Sequence, residues 1–406
     1  MAEKQYLRGN EAAALAAKLS RIQMMAAYPI PPSSEIMETV RTYIQQGELK
    51  AAFIEADGEK QGMLACFGAA CSGARVFNAT SAQGLVYMNE ALWVFSGSRM
   101  PMVMVLGTRS LFAPYSILCD HSDLYSAKET GWIQIYCENV QEVFDTVIQG
   151  FKISETKKIR LPVMVCIDGY YTTHSLEAVS VPSQDEVDAF LPPYKPDITE
   201  YVEPGGLSMF TGSLVMENWW TEFKYQDRRA METAKEVINQ VDDEFAKLFG
   251  RKYGGVIDQY LIEDAEVVLV MMGSMCLTAR FAIDVMRKVG KRVGLLKIRS
   301  FRPFPHEKIA EVIGSTKSKV VVVLDRFYGN VLRDEVRSAL YPLEQRPLVM
   351  GFIVGLNGRD VGPYNMIDLA EQGFDAAQKG FVEKDQQMYM LRTAEFIEEA
   401  SHVKKV

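Results

Sequence analysis

Val76-Phe77-Asn78-Ala79-Thr80-Ser81-Ala82-Gln83-Gly84 is the stretch that decides the fold. Residues 76–79, apolar but for Asn78, read as a short strand, and Ser81-Ala82-Gln83-Gly84 opens a helix straight after it. A strand that hands over to a helix through a polar turn is the repeating unit of a parallel sheet. The alternation continues in both directions. Upstream, Gly9-Asn10-Glu11 opens an alanine-rich helix to about residue 21, and residues 24–28 form a strand that Pro29, Pro31 and Pro32 stop. Ser33 or Ser34 can cap a helix over residues 36–43. Residues 51–54 are strand-like, and small apolar residues at helical spacing follow from Glu59 to residue 70. Downstream, residues 102–107 and 163–167 read as buried strands. The pattern predicts an α/β fold built on a doubly wound, mostly parallel sheet.

Farther along, Pro192, Pro193, Pro196, Pro204, Gly205 and Gly206 exclude long regular elements, and residues 228–249 follow as a charged amphipathic helix expected to be solvated or at an interface. A second α/β unit begins with the buried strand 267–272. Gly273-Ser274 then starts a helix, and strands are expected over 292–298, 320–324 and 348–354. The domains are therefore expected at residues 1–182, with a connector over 183–258 and a second domain over 259–406.

Bulk composition narrows the function. The chain has 406 residues, 48% of them apolar, and a net charge of −8. That balance argues against general nucleic-acid binding, which wants a basic surface. None of the six cysteines stands in C-x-x-C spacing, so buried reduced thiols are expected, with no zinc or iron–sulfur ligation in this chain. The N-terminus lacks a signal-peptide apolar region, and no apolar run reaches about 18 residues. A cytoplasmic protein with no membrane span is the expectation.

Candidate chemistry sits in four loops of the first domain, each following a strand, where ligands bind in open α/β sheets. They are Tyr28-Pro29-Ile30-Pro31-Pro32-Ser33-Ser34, the Glu59 helix start, Thr80-Ser81-Ala82-Gln83-Gly84, and Gly107-Thr108-Arg109 with Asp120-His121-Ser122-Asp123. Taken singly, none is specific. Glu59 also reads as a helix-dipole partner, Arg109 as structural, and Asp120 and His121 as a hydrogen-bonded turn. The other histidines give no metal spacing, and no metal ligands are expected. Ser81 lacks the context of a hydrolase elbow.

Together the loops resemble the alpha subunit of pyruvate:ferredoxin and related 2-oxoacid:acceptor oxidoreductases, over nearly the whole chain. Gly73-Ala74-Arg75 through Thr80-Ser81-Ala82-Gln83-Gly84 carries the strongest match. Gly131-Trp132-Ile133-Gln134-Ile135-Tyr136, running into Cys137-Glu138-Asn139-Val140-Gln141-Glu142, is next. Gly294-Leu295-Leu296-Lys297, Phe301-Arg302-Pro303-Phe304-Pro305 and Gly355-Leu356-Asn357-Gly358-Arg359-Asp360-Val361 follow in order. The resemblance implies a pyrimidine-binding domain for thiamine diphosphate, followed by a transketolase C-terminal-like α/β domain that serves assembly. Gly273-Ser274 is then structural rather than an anion site. Glu59 would hold the cofactor's pyrimidine ring and favour its imino form, and Arg109 would hold the substrate carboxylate. Tyr28, Pro29, Ser81 and Gln83 would line the cofactor side, and Asp120 and His121 would support the Arg109 loop.

The implied reaction is oxidative decarboxylation of a 2-oxoacid to an acyl-CoA, with electrons passing to 4Fe-4S clusters in partner subunits. The chain has no Gly-Asp-Gly followed by an Asn-containing metal loop. A beta-type subunit is therefore expected to supply the Mg²⁺ and diphosphate half of the site. Gamma-type and ferredoxin-like subunits, the 2-oxoacid and coenzyme A complete the implied partners. The resemblance also places Pro31 and Thr108 at the substrate beside Arg109, and both depart from members acting on pyruvate, which usually carry Thr where Pro31 stands and, in the multisubunit form, Asn where Thr108 stands. Pro31 has no donor, and a donor lost beside a charge is worth roughly 1.5–3 kcal/mol, about 10- to 100-fold. With Phe112 and Tyr115 near Arg109, this points to an aryl substrate, phenylglyoxylate, with pyruvate as the alternative. Other thiamine-diphosphate enzymes share the glutamate but not the Arg109 loop with Asp120-His121, and a non-catalytic assembly subunit is the competing reading.

Overall fold

Val103–Thr108 and Val163–Asp168 are buried at every position. A strand with both faces buried belongs in the middle of a parallel sheet with helices on each side, and that is where both lie. The computed structural model describes residues 3–196 and 214–391. Pro204, Gly205, Gly206 and His402 lie outside the described residues.

In chain order the first half runs β1 (Glu3–Arg8), α1 (Gly9–Leu19), β2 (Met24–Ala27), α2 (Ser34–Gln45), β3 (Ala52–Glu55), α3 (Glu59–Cys71), β4 (Val76–Thr80), α4 (Ala82–Tyr87) and α5 (Asn89–Gly97). It continues through β5 (Val103–Thr108), α6 (Ser122–Ser126), β6 (Ile133–Tyr136), α7 (Val140–Glu155), β7 (Val163–Asp168), β8 (Leu176–Val181) and α8 (Gln184–Phe190). Then come α9 (Glu217–Phe249), β9 (Ile257–Tyr260), β10 (Val267–Met271), α10 (Met275–Lys288), β11 (Val293–Ile298), β12 (Ser300–Arg302), α11 (His306–Gly314) and β13 (Val320–Asp325). The last elements are α12 (Val331–Leu340), β14 (Leu348–Ile353), α13 (Pro363–Lys379) and β15 (Gln386–Met388).

The first sheet has the order β12-β6-β7-β5-β4-β2-β3 and is parallel except for β12. The second has the order β15-β14-β13-β10-β11-β9, parallel except for β9. β1 and β8 form a separate antiparallel pair. Among the described residues no helix is long and apolar enough to cross a membrane. All six cysteines are buried, and no disulfide joins them.

Two features differ from the sequence reading. The helix expected from residue 228 begins at Glu217, and one face of its C-terminal half is buried rather than solvated. Ala230, Ala234, Val237, Ile238, Val241 and Phe245 join the core, with the helix packed on α7 and α8. Helix periodicity reports an apolar stripe but not what covers it. The second difference is β12, which leaves the second unit to pair with β6 of the first sheet.

A buried ion cluster fastens that crossover. Glu142 on α7 accepts from Lys297 Nζ at 2.6 Å and from Arg299 Nε at 2.9 Å. Arg299 also donates to the Gly255 carbonyl, Thr146 Oγ1 and Gln149 Oε1. All three ionic side chains are fully enclosed. Burial disfavours the Glu142 charge, but the two cations outweigh it and hold its pKa below the usual value. Removing one partner of such a cluster leaves an uncompensated buried charge. Glu142→Gln is therefore expected to destabilise the fold by about 3–5 kcal/mol in chemical unfolding. Lys297→Met, which leaves Arg299 opposite Glu142, is expected to cost clearly less. Equal losses would show that the cluster is not the fastening.

Candidate active site

β2, β4, β5 and β7 are neighbours in one parallel sheet, so their carboxyl ends deliver four loops to one edge. The loops touch directly. Ser81 Oγ lies 3.0 Å from Ser33 Oγ, and Asn10 Nδ2 donates to the Pro32 carbonyl at 2.8 Å. Glu59, the first residue of α3, lies across the turn after β4. A Cβ on Gly84 would come within 2.6 Å of Glu59 Oε1 and 2.5 Å of Thr80 Oγ1, so only glycine lets the carboxylate approach. Gln83 Oε1 is buried there without a hydrogen-bond partner. Tyr28 and Pro31 are exposed and Pro29 is partly buried at the outer lip of the same edge.

Arg109 is only 3% exposed. Its Nη1 donates to the Pro31 carbonyl at 2.8 Å and its Nε to the Ser116 carbonyl at 3.1 Å. The guanidinium lies 5.7 Å from the centre of the Tyr115 ring. Among the described residues no carboxylate lies within ion-pair distance of it. Carbonyls solvate a cation without neutralising it, and a buried charge is costly unless paired. This arginine is thus oriented and lacks an anion. Thr108, proposed beside it as a substrate ligand, turns inward. Its hydroxyl is 2.7 Å from Tyr136 OH and donates to the Ile167 carbonyl at 3.2 Å, so it is committed to the core.

The Asp120–Asp123 turn behaves differently from a simple brace. Asp120 accepts from the N–H and hydroxyl of Ser122, whose hydroxyl accepts from the Leu111 N–H at 2.9 Å. It therefore reaches the Arg109 loop at second hand. Asp123, which the sequence reading gave no role, accepts from the backbone N–H groups of Ala82, Arg109 and Leu124. Burial pushes its pKa up, the Ala82 N–H opposes this, Asp120 adds repulsion, and the result is about 8.

His121 instead joins the two units. Its Nδ1 is 3.0 Å from Asp325 at the end of β13, and its Nε2 is 3.6 Å from Asp168 at the end of β7. The second separation is an ion-pair distance beyond hydrogen-bond range. Asp168 also accepts from Tyr136 OH and from the N–H and hydroxyl of Ser274. Gly273-Ser274 at the start of α10 is thereby occupied by this chain's own carboxylate, in keeping with a structural role. Burial pulls the His121 pKa down, but the hydrogen bond to Asp325 and the charges of both aspartates outweigh it and raise it to about 9. Burial works against the Asp168 charge too, yet Arg326, His121 and Ser274 hold it far below the usual carboxylate range.

The second unit also braces the loop that carries Arg109. The Gly358 N–H donates to the Cys119 carbonyl at 2.9 Å, and Tyr171 OH donates to the Gly358 carbonyl at 2.8 Å. Ser116 bonds Asn357. Between the loop and the second unit lies a cleft of about 610 Å³ lined by Phe112, Pro114, Tyr125, Phe327 and Tyr328. Asp168 and Asp325 were missed because each reads as the last residue of an apolar run. Their position at a strand's carboxyl end was the available signal. Among the described residues no group of three or more metal-ligating side chains is present.

Comparison with known proteins identifies the architecture. Residues 15–243 match the thiamine diphosphate-binding domain of pyruvate flavodoxin/ferredoxin oxidoreductase, and residues 265–366 match core domain II of pyruvate:ferredoxin oxidoreductase. This chain belongs to the alpha subunits of the 2-oxoacid:ferredoxin oxidoreductase family. It is 42% identical to pyruvate synthase subunit PorA of Methanocaldococcus jannaschii, over 89% of this chain and 92% of the relative. It is 40% identical to ketoisovalerate oxidoreductase subunit VorA of Pyrococcus horikoshii, over 96% and 98%. The fold matches a 2-oxoglutarate:ferredoxin oxidoreductase from Magnetococcus marinus with a TM-score of 0.69 at 17% identity. That match covers 92% of this chain and 65% of that longer one. The alpha subunit is thus one component of a multisubunit oxidoreductase.

The His121 bridge has a pH signature. Its pKa is about 9 folded against 6.5 unfolded, so the stability it adds is complete below about pH 6.5 and is lost as pH rises through about 9. Asp123, at about 8 against 3.8, gives a slope of the same sign that ends near pH 8. His121→Gln is expected to remove the fall in Tm between about pH 8 and 9, to lessen it between about pH 6.5 and 8, and to leave the Asp123 part below that. An unchanged fall across that interval would contradict the bridge.

Proposed function

We propose that the alpha subunit supplies the pyrimidine-binding and carboxylate-binding half of a thiamine-diphosphate-dependent 2-oxoacid oxidoreductase that forms acyl-CoA. The observation that carries this reading is Arg109, a buried and oriented guanidinium with no carboxylate partner among the described residues. A planar 2-oxoacid carboxylate matches its fork. The residues also fit the cofactor. Glu59 rests against Gly84 beside the buried, unpartnered Gln83 Oε1, an arrangement suited to the polar edge of an aminopyrimidine. Bound thiamine diphosphate would supply the electron sink for decarboxylation. Glu59 would hold a proton at the pyrimidine ring nitrogen. Arg109 would fix the carboxylate and so aim the keto carbon, with Pro31 and Ser116 keeping the guanidinium from turning away.

A partner would complete the site. Ile54, Leu64, Val86, Tyr87 and Trp93 are all exposed on β3, α3, α4 and α5, the elements around Glu59. Exposed apolar surface rimming a polar site marks an interface. We assign this face to a beta-type subunit carrying Mg²⁺ and the diphosphate. The 4Fe-4S clusters would lie in partner subunits, with gamma-type and ferredoxin-like subunits completing the complex. Residues 1–182 would form the pyrimidine-binding domain and 259–406 the assembly domain, which agrees with the bracing of the Arg109 loop by Asn357 and Gly358.

For the substrate we favour an aliphatic 2-oxoacid, pyruvate or its branched homologue 2-oxoisovalerate, in line with the relatives' names. The phenylglyoxylate expectation gains no support. Pro31 holds Arg109 through its carbonyl, and its lack of a side-chain donor does not by itself select an aryl group. The Phe112 and Tyr115 rings lean on each other 4.9 Å apart and are 55% and 70% exposed, so they do not enclose a pocket at Arg109. In the assembled complex, with coenzyme A and a viologen acceptor, Arg109→Lys is expected to raise the KM for the 2-oxoacid about 10- to 100-fold. Glu59→Gln is expected to abolish turnover with the complex intact. Survival of turnover in both variants would favour the assembly-subunit reading, and faster reduction with phenylglyoxylate than with pyruvate or 2-oxoisovalerate would restore the aryl one.

A further inference from the structure

We infer that Asp123 is a positioning residue that couples the cofactor side of the site to the substrate arginine, so that each is set only when the other is. The inference rests on the roles proposed above for Gln83, Glu59 and Arg109. One oxygen, Oδ2, accepts from the Ala82 N–H at 2.8 Å and from the Arg109 N–H at 3.0 Å. Those groups begin the loops that follow the adjacent strands β4 and β5. The other oxygen accepts from the Leu124 N–H at 2.7 Å, which fixes the plane of the carboxylate.

The Ala82 end is under strain. Its φ is +44°, in the left-handed region that a residue with a Cβ avoids. The next two residues are Gln83 and Gly84, against which Glu59 rests. If the bond to Asp123 were lost, Ala82 would relax toward negative φ and turn Gln83 away from the site. At the other end Arg109 is held by its N–H, and its guanidinium reaches back to the Pro31 carbonyl. Two residues after Pro31, Ser33 bonds Ser81, the neighbour of Ala82. The contacts therefore close a circuit: Asp123 to Ala82, Ser81 to Ser33, Pro31 to Arg109, and Arg109 back to Asp123. A displacement at any member is passed to the rest, and the Asp123 side chain touches both halves directly. Coupling of this kind is reciprocal between the two ligands.

Asp123→Asn in the assembled complex tests the coupling. The amide is isosteric but turns an NH₂ toward backbone donors. The KM for the 2-oxoacid and the Kd for thiamine diphosphate are expected to rise together, each about tenfold or more, by more than kcat falls. A lower Tm with both constants unchanged, or a rise in only one of them, would overturn the coupling. Arg109→Lys separates this from the underlying reading. If Arg109→Lys leaves the KM unchanged, the carboxylate site itself is wrong; if it raises the KM while Asp123→Asn moves neither constant, only the coupling is wrong. Should the Asn variant fail to assemble, amide hydrogen exchange in the wild-type complex decides. Thiamine diphosphate alone should slow exchange in residues 107–111, and oxamate, a 2-oxoacid analogue, should slow it in residues 80–84. Protection confined to the loop touching the added ligand would overturn the inference.

Discussion

A guanidinium buried without a carboxylate is the constraint on which the site depends. Arg109 is enclosed by the Pro31 and Ser116 carbonyls and by no negative charge among the described residues. Leaving a cation in that state is unfavourable unless rigid surroundings enforce it and a ligand relieves it. The surrounding structure supplies the rigidity. The parallel register sets the ends of β2, β4, β5 and β7 side by side, glycine at position 84 admits the Glu59 carboxylate, and Asp123 joins the turn after β4 to the start of the Arg109 loop.

The second unit is part of the same constraint. Asn357 and Gly358 hold the far side of the Arg109 loop, and β12 extends the first sheet past β6. Two buried charge clusters lock the units: Glu142 on α7 with Lys297 and Arg299, and His121 with Asp168 and Asp325. Buried ion pairs contribute little net stability, but breaking one is expensive. Their value here is that they tolerate only one relative placement of the two sheets. The motif residues of the second unit thus act on the site through the loop they brace, without reaching it.

Much of this was legible in the sequence for a definite reason. Runs such as 102–106 and 163–167 are apolar throughout and end at glycine or a polar residue, the pattern of a strand buried on both faces. The site loops were legible because function follows the carboxyl ends of such strands. The rest needed long-range pairing. β1 pairs with β8, and β12 with β6, across more than a hundred residues of chain; all are short or at an edge, with no pattern of their own. Asp168 and Asp325 matter only because His121 stands between them. Pro31 shows the limit most clearly. Its side chain suggested a missing donor, whereas its contribution is a backbone carbonyl, and every residue type carries one.

The most direct test of the account is the structure of the assembled complex with thiamine diphosphate and a 2-oxoacid bound. The account predicts two substrate carboxylate oxygens on the Arg109 guanidinium, with Glu59 and Gln83 against the pyrimidine ring. A substrate carboxylate bound elsewhere, with Arg109 paired to an acidic side chain of a neighbouring subunit, would contradict it.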